Sequence, residues 1–306
     1  MKPIIYAGLS VLIMATVQVS RADGLPDSLK NFQLDIQGDT RFSHHNYTDL
    51  TENYDLIDSW AEIKLAYWLD QNKTISPFVS VIPSHVSDYI NKWGRDDVLW
   101  WQRNIQTAVG VQWYPFAYFD KLKPLRSIRF YAMYLQRDFY DLPSDQDPID
   151  EDVQIGLDYY YDNYFSDNWL GASIWTRLAH SKTAFAFDDY NAISWVGNAK
   201  VGPKFEVPAP WGRSLTHTYL VGEWGVVDQK HKDRFWENFV RGGVGVRFYP
   251  KIDSEGNIFK DLIKRFNIYA EYIAVNEWLG DKPGAEISDT DFRIGVSYST
   301  SGFYRD

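Results

Sequence analysis

The stretch Phe32-Gln33-Leu34-Asp35-Ile36-Gln37-Gly38-Asp39-Thr40-Arg41-Phe42 alternates without a break. In an extended chain Phe32, Leu34, Ile36, Gly38, Thr40 and Phe42 fall on one face, and Gln33, Asp35, Gln37, Asp39 and Arg41 on the other. Strands of soluble sandwiches usually stop at ~5–6 residues, whereas a strand that crosses a bilayer at a tilt needs ~9–11. An apolar face of that length beside a charged one suits a strand with lipid on one side and a polar lumen on the other.

The same period recurs along the chain. Strands are expected near 32–42, 57–69, 74–83, 99–113, 126–137, 153–161, 168–178, 191–205, 216–227, 235–249, 265–277 and 290–299, with 74–83 and 126–137 the least regular. This predicts an all-β fold, a transmembrane up-and-down antiparallel β-barrel of about twelve strands, whose even number brings the C-terminus back to the side of the N-terminus. Outer loops are expected near 43–56, 84–98, 138–152, 179–190, 228–234 and 278–289. The turns Asp70-Gln71-Asn72-Lys73 and Asp162 to Ser166 are short, as periplasmic turns should be. Pro250 to Lys264 is too long for such a turn. Its Ile258, Phe259, Leu262 and Ile263 at helical spacing suggest a small amphipathic helix.

Met1-Lys2, the apolar run Ile4 to Val19 and Ser20-Arg21-Ala22 have the order of a secretory signal peptide, expected at 1–22 with the barrel at 23–306. No later apolar run reaches helical spanning length. Aromatic residues make up 17% of the chain, with 13 Trp and 21 Tyr, and interfacial girdles are a natural place for them. The net charge of −10 excludes a nucleic-acid footprint. The expected location is therefore the outer membrane of a Gram-negative bacterium. The expected partners are its lipids and lipopolysaccharide and the barrel-assembly machinery.

Gly242-Gly243-Val244-Gly245-Val246-Arg247-Phe248-Tyr249, Tyr269-Ala270-Glu271-Tyr272 and Asp291-Phe292-Arg293-Ile294-Gly295-Val296 resemble the closing strands of one known barrel group. It comprises the C-terminal barrels of the phage-adsorption protein A type and related exopolysaccharide-export outer-membrane proteins. The resemblance covers about the last quarter of the chain and implies a role in moving or anchoring surface polysaccharide. In that group a helical tetratricopeptide-type scaffold precedes the barrel, for which this sequence leaves no room.

Candidate chemistry is sparse. His180 and Ser181 are adjacent, which sends them to opposite faces of a strand and away from a nucleophile–base pair. His44-His45 and His85 lack the spacing that converges two rings on one ion, and the acidic loop Asp138 to Asp152 lacks the EF-hand glycine. No metal, cofactor or catalytic residue is assigned. The alternation instead projects a lumen of mixed charge. Glu223, Arg241, Glu271 and Arg293 on four consecutive strands, continued by Asp35 and Asp39 across the closing seam, are expected to form an ion-pair ladder that narrows or plugs the pore. Tyr160, Trp169, Trp175, Tyr219 and Tyr269 are expected inside, stacking on sugar rings or filling volume. Three functions fit: passage or export of a polar solute, with a saccharide as the favoured class; hydrolysis of phospholipid or lipopolysaccharide acyl chains; and a non-catalytic structural or receptor role.

Overall fold

The structure, a computed structural model, describes residues 31–44, 55–88, 103–119, 124–140, 142, 147–164, 166, 168–183, 191–210, 212–228, 238–252, 263, 265–279 and 290–300. Its strands are β1 (Phe32–His44), β2 (Asp55–Tyr67), β3 (Ile75–Asp88), β4 (Asn104–Trp113), β5 (Arg129–Phe139), β6 (Glu151–Asp162), β7 (Leu170–Ser181), β8 (Ala192–Ala209), β9 (Gly212–Val227), β10 (Phe239–Lys251), β11 (Phe266–Trp278) and β12 (Asp291–Ser299). Each pairs antiparallel with its sequence neighbours, and β1 closes on β12 through Gln37–Ser299 to His44–Phe292, giving a closed barrel. Closure matters because it leaves no row of unpaired backbone groups inside a membrane. Twelve strands at ~4.8 Å spacing and 35–45° tilt describe a backbone cylinder of roughly 12 Å radius.

Ile258, Phe259 and Leu262 of the expected helix, the signal peptide 1–22 and residues 141 and 143–146 of the acidic loop lie outside the described residues. The strand order is as expected, but several ends move. β3 runs on to Asp88 and β4 begins only at Asn104. Both faces of β3 mix apolar and small residues, so its end is poorly marked by alternation: Phe78 and Val86 are buried beside Ser76 and Ser80.

Register sorts the side chains. Outward positions carry Val79, Val109, Val111, Ile155, Leu178, Val201, Leu220, Val244, Ile268 and Ile294, all exposed. Aromatic contacts sit on the same outer surface toward the turn end, with Phe32 against Tyr67 (4.9 Å), Trp113 against Phe130 (5.6 Å) and Phe266 against Tyr298 (4.7 Å). Toward the loop end Trp195 packs on Trp224 (5.7 Å). An apolar surface edged by aromatic rings is the exterior of a membrane barrel.

The turns are specific. Asp70 accepts from the Thr74 amide (2.8 Å), the Ile75 amide (3.0 Å) and the Thr74 hydroxyl (3.0 Å), while Lys73 adopts φ 53°. Desolvation raises the Asp70 carboxyl, but the hydrogen bonds from Ile75 and Thr74 together outweigh it and leave the group below its ordinary pKa. β8 and β9 are joined through Pro210 and residue 211, with Ala209 paired to Gly212. Gly212 takes φ 118°, a conformation that strains any residue with a Cβ.

Inside the barrel, tyrosines are seated on glycines. Tyr131, Tyr219 and Tyr269 are the direct cross-strand partners of Gly156, Gly245 and Gly295. A Cβ on Gly295 would lie 2.5 Å from Tyr269 Cζ, and one on Gly245 2.6 Å from the Tyr219 ring. The bare glycine lets each ring lie flat against the wall, where it covers backbone and aims its hydroxyl along the lumen. Gly295→Ala is accordingly expected to destabilise the barrel by ~1–3 kcal/mol through overpacking. Gly222→Ala, with nothing within 4 Å of the added atom, should stay within ~0.5 kcal/mol. Urea unfolding in detergent micelles measures both, and equal effects would refute the seating.

Candidate functional site

The lumen wall is read from β8 around to β1. Arg293 is its centre, 1% exposed: Nη1 donates to Glu223 Oε1 (2.8 Å) and lies 3.9 Å from Glu271 Oε2, and Nε donates to Asp291 Oδ2 (2.6 Å). Glu271 also accepts from Lys200 Nζ (2.7 Å) and the Tyr219 hydroxyl (2.8 Å). Asp291 accepts from the Ser43 hydroxyl (2.8 Å), and the Tyr269 hydroxyl donates to Asp39 (2.8 Å). Lys200 and Arg247 lie over the faces of the same two rings, Tyr219 and Tyr269, at 5.2–5.9 Å.

Two of the expected rungs are direct cross-strand pairs, Glu223–Arg241 at 4.0 Å and Glu271–Arg293 at 3.9 Å, but the rung between Arg241 and Glu271 is missing and the contacts spread into a web. The cross-strand partner of Arg241 on β11 is Asn276, to which its Nε donates (3.0 Å). Glu271 stands opposite Gly245 on one side and Arg293 on the other. Counting residues up each strand does not give height, because pairing staggers the strands and a register shift at Gly242/Gly243 adds one residue to β11. Asp35 is not part of the web. It faces Lys64 across β1–β2 at 3.3 Å.

The web crosses space. Arg293–Glu223 joins β12 to β9, Lys200–Glu271 joins β8 to β11, and Tyr269–Asp39 joins β11 to β1. Each contact skips strands, so the side chains leave the wall and occupy the lumen on that arc. On the other arc the ion pairs among the described residues link adjacent strands: Arg41–Asp58 (2.9 Å), Lys64–Asp35 (3.3 Å), Arg137–Asp152 (3.0 Å), and Arg129 and Arg177 (2.8 Å) on Asp158. Side chains there lie along the wall.

Among solved structures, the chain is similar to the β-domain of the Bordetella autotransporter BrkA, at 11% identity over 88% of this chain and 99% of that one, with a TM-score of 0.35. It is also similar to an outer-membrane channel from Pseudomonas putida F1 (8% identity, 90% and 97%, TM-score 0.35). A bacterial polysaccharide outer-membrane secretin matches at 9% identity over 87% and 97%, with a TM-score of 0.36. No family model and no curated protein matches the sequence.

The aromatic candidates separate by place. Tyr219 and Tyr269 are buried and spend their hydroxyls on Glu271 and Asp39. Tyr160, 44% exposed, is the cross-strand partner of Trp175 on β6–β7, and both share the face of Asp158 and Arg177. Trp169 lies just before β7 and is 72% exposed, so it belongs to the turn and not to the lumen wall. His217 is fully buried between the rings of Tyr164 and Tyr219, both at 4.9 Å.

At the loop end Ser181 donates to Asp152, which also accepts from Arg137, Gln154 and the Thr183 amide, while His180 points to the opposite face. The serine is held by a carboxylate, and among the described residues no imidazole is bonded to it. His85 stacks on Tyr140 (5.9 Å) with Nδ1 2.9 Å from its hydroxyl, and no group of metal-ligating side chains converges among the described residues. Sequence reasoning missed Lys200 and Asp291 as members of the web. Both have the inward parity, but their partners depend on register that one strand does not reveal.

Proposed function

We propose that this chain is an outer-membrane β-barrel of a Gram-negative bacterium through which a small polar solute passes along the β2–β7 arc, with a saccharide as the favoured class. One observation carries the reading: a closed barrel with an apolar exterior has a charged and aromatic interior that is crossed by side chains on one arc and only lined on the other. Mixed charge along the open arc argues against a simple cation or anion pore. The aromatic pair Tyr160 and Trp175 suits a ring-bearing solute.

Export of residues 1–22 as a cleaved signal belongs to the same reading. The mature chain is expected to start near Asp23 and to fractionate with the outer membrane, and intact-mass measurement of the purified barrel checks it. In planar bilayers the barrel should show small, discrete conductance steps. Silent bilayers with correctly folded protein would replace passage by a structural or receptor role.

A further inference from the structure

We infer that Arg177, Trp175 and Tyr160 form a lumenal subsite for a carboxylate-bearing sugar. The inference rests on the passage reading and names its substrate class. Asp158, 6% exposed, is shared by two arginines: Arg129 donates to Oδ2, and Arg177 donates through Nε to Oδ1 (2.8 Å) and through Nη2 to Oδ2 (3.4 Å). Among the described residues Asp158 is thus the one carboxylate within 4 Å of either guanidinium. By contrast, Arg41, Lys64 and Arg137 each have a carboxylate of their own, and Arg293 has three within 4 Å.

The other carboxylates nearby act on other cations: Glu62 bears on Arg129 and accepts from Gln37, and Asp162 has Lys204 as its cationic neighbour, so Arg177 has a share of Asp158 alone. Arg177 is also the more open of the two arginines, its side chain 35% exposed against 17% for Arg129. Its guanidinium lies over the Trp175 ring at 5.7 Å and over Tyr131 at 5.6 Å, so it is fixed in place without being neutralised. Tyr131 is locked against Gly156. Next along the same two strands come the paired rings of Trp175 and Tyr160.

A planar carboxylate meets the open edge of a guanidinium in two parallel hydrogen bonds, which a neutral hydroxyl cannot reproduce. Aromatic faces one residue pair away offer a surface for the sugar ring that carries the carboxylate. A free carboxylate lacks the ring, and a neutral sugar lacks the charge. Only a solute with both uses the whole site.

The test is calorimetric titration of the folded, detergent-solubilised barrel with glucuronate, glucose and acetate, alongside current recording in bilayers with the same solutes. Glucuronate should bind at least about tenfold more tightly than glucose or acetate. Arg177→Gln, which leaves Asp158 paired to Arg129, should remove most of that difference, and Trp175→Ala should weaken glucuronate while leaving acetate unchanged. Heat-modified gel mobility establishes that both variants are folded. No glucuronate binding, or binding indifferent to Arg177→Gln, overturns the subsite even if the barrel conducts. Acetate binding as tightly as glucuronate overturns the sugar assignment. Binding without conductance keeps the subsite and removes passage.

Discussion

Arg293→Ala is expected to cost ~3 kcal/mol of stability, near the low end of the ~3–5 kcal/mol range for breaking a buried ion pair by removing one partner. The low end applies because the three carboxylates are not equally abandoned. Glu271 keeps Lys200 at 2.7 Å and the Tyr219 hydroxyl, and Glu223 keeps Arg241 at 4.0 Å with 18% of its side chain exposed. Asp291, 2% exposed, keeps only the Ser43 hydroxyl among the described residues. Most of the penalty thus falls on one carboxylate.

Arg293→Met combined with Asp291→Asn removes the cation and the stranded anion together, and should recover more than half of the loss. Urea unfolding of the barrel in micelles, followed by tryptophan fluorescence, measures the series. A single variant within ~0.5 kcal/mol of the parent would show that the web does not hold β12 to β9, since surface-like changes have effects of that size. The same variant removes one of the two contacts that each skip two strands, so larger conductance steps should accompany the lost stability.

How far the sequence alone reaches differs from strand to strand. β1 and β12 are legible because, His44 and Gly295 apart, outward residues are apolar or small and inward ones polar, as in Phe292, Ile294 and Val296 against Arg293 and Ser297. β5 is obscure for a physical reason. Its inward Tyr131 and Leu135 are 4% and 2% exposed and fill the lumen, while Phe130 and Tyr134 face outward, so both faces look apolar and the alternation fades. Face was therefore readable at most positions, but height only in part: Glu223–Arg241 and Glu271–Arg293 stand in register, whereas the register shift at Gly242/Gly243 puts Asn276 and not Glu271 opposite Arg241. The Lys200–Glu271 contact depends on stagger summed over three strands, and no single strand encodes it. The seating of Tyr269 on Gly295 was hidden for the same reason: the glycines are conspicuous, but which ring each one receives follows from register.

The face assignment leads to the other large effect. Leu220 and Ile294 are 63% and 47% exposed on the outer surface, in the middle of β9 and β12, where their neighbours Val244 and Phe42 are apolar as well. Arginine at either position must leave its charge in hydrocarbon or bend toward an interface several residues away, and a cost of ~2–4 kcal/mol is expected at mid-bilayer depth. Asn198 is the inward control. It points into the lumen beside Trp175 and opposite Glu223, where an added guanidinium finds a carboxylate and polar surroundings. Asn198→Arg should therefore cost no more than ~1 kcal/mol. The contrast separates a barrel whose exterior meets lipid from one whose exposed apolar belt would be covered by protein: in the second case the outward arginines would be buried in an interface and their effect would not depend on bilayer thickness. Folding into vesicles of short-chain and long-chain phosphatidylcholine measures this directly. Leu220→Arg should be tolerated better in the thinner bilayer, where the charge has less distance to an interface, while Asn198→Arg should be indifferent to thickness. Equal costs at outward and inward positions, or no change with lipid length, would show that the exterior assigned to lipid does not face it.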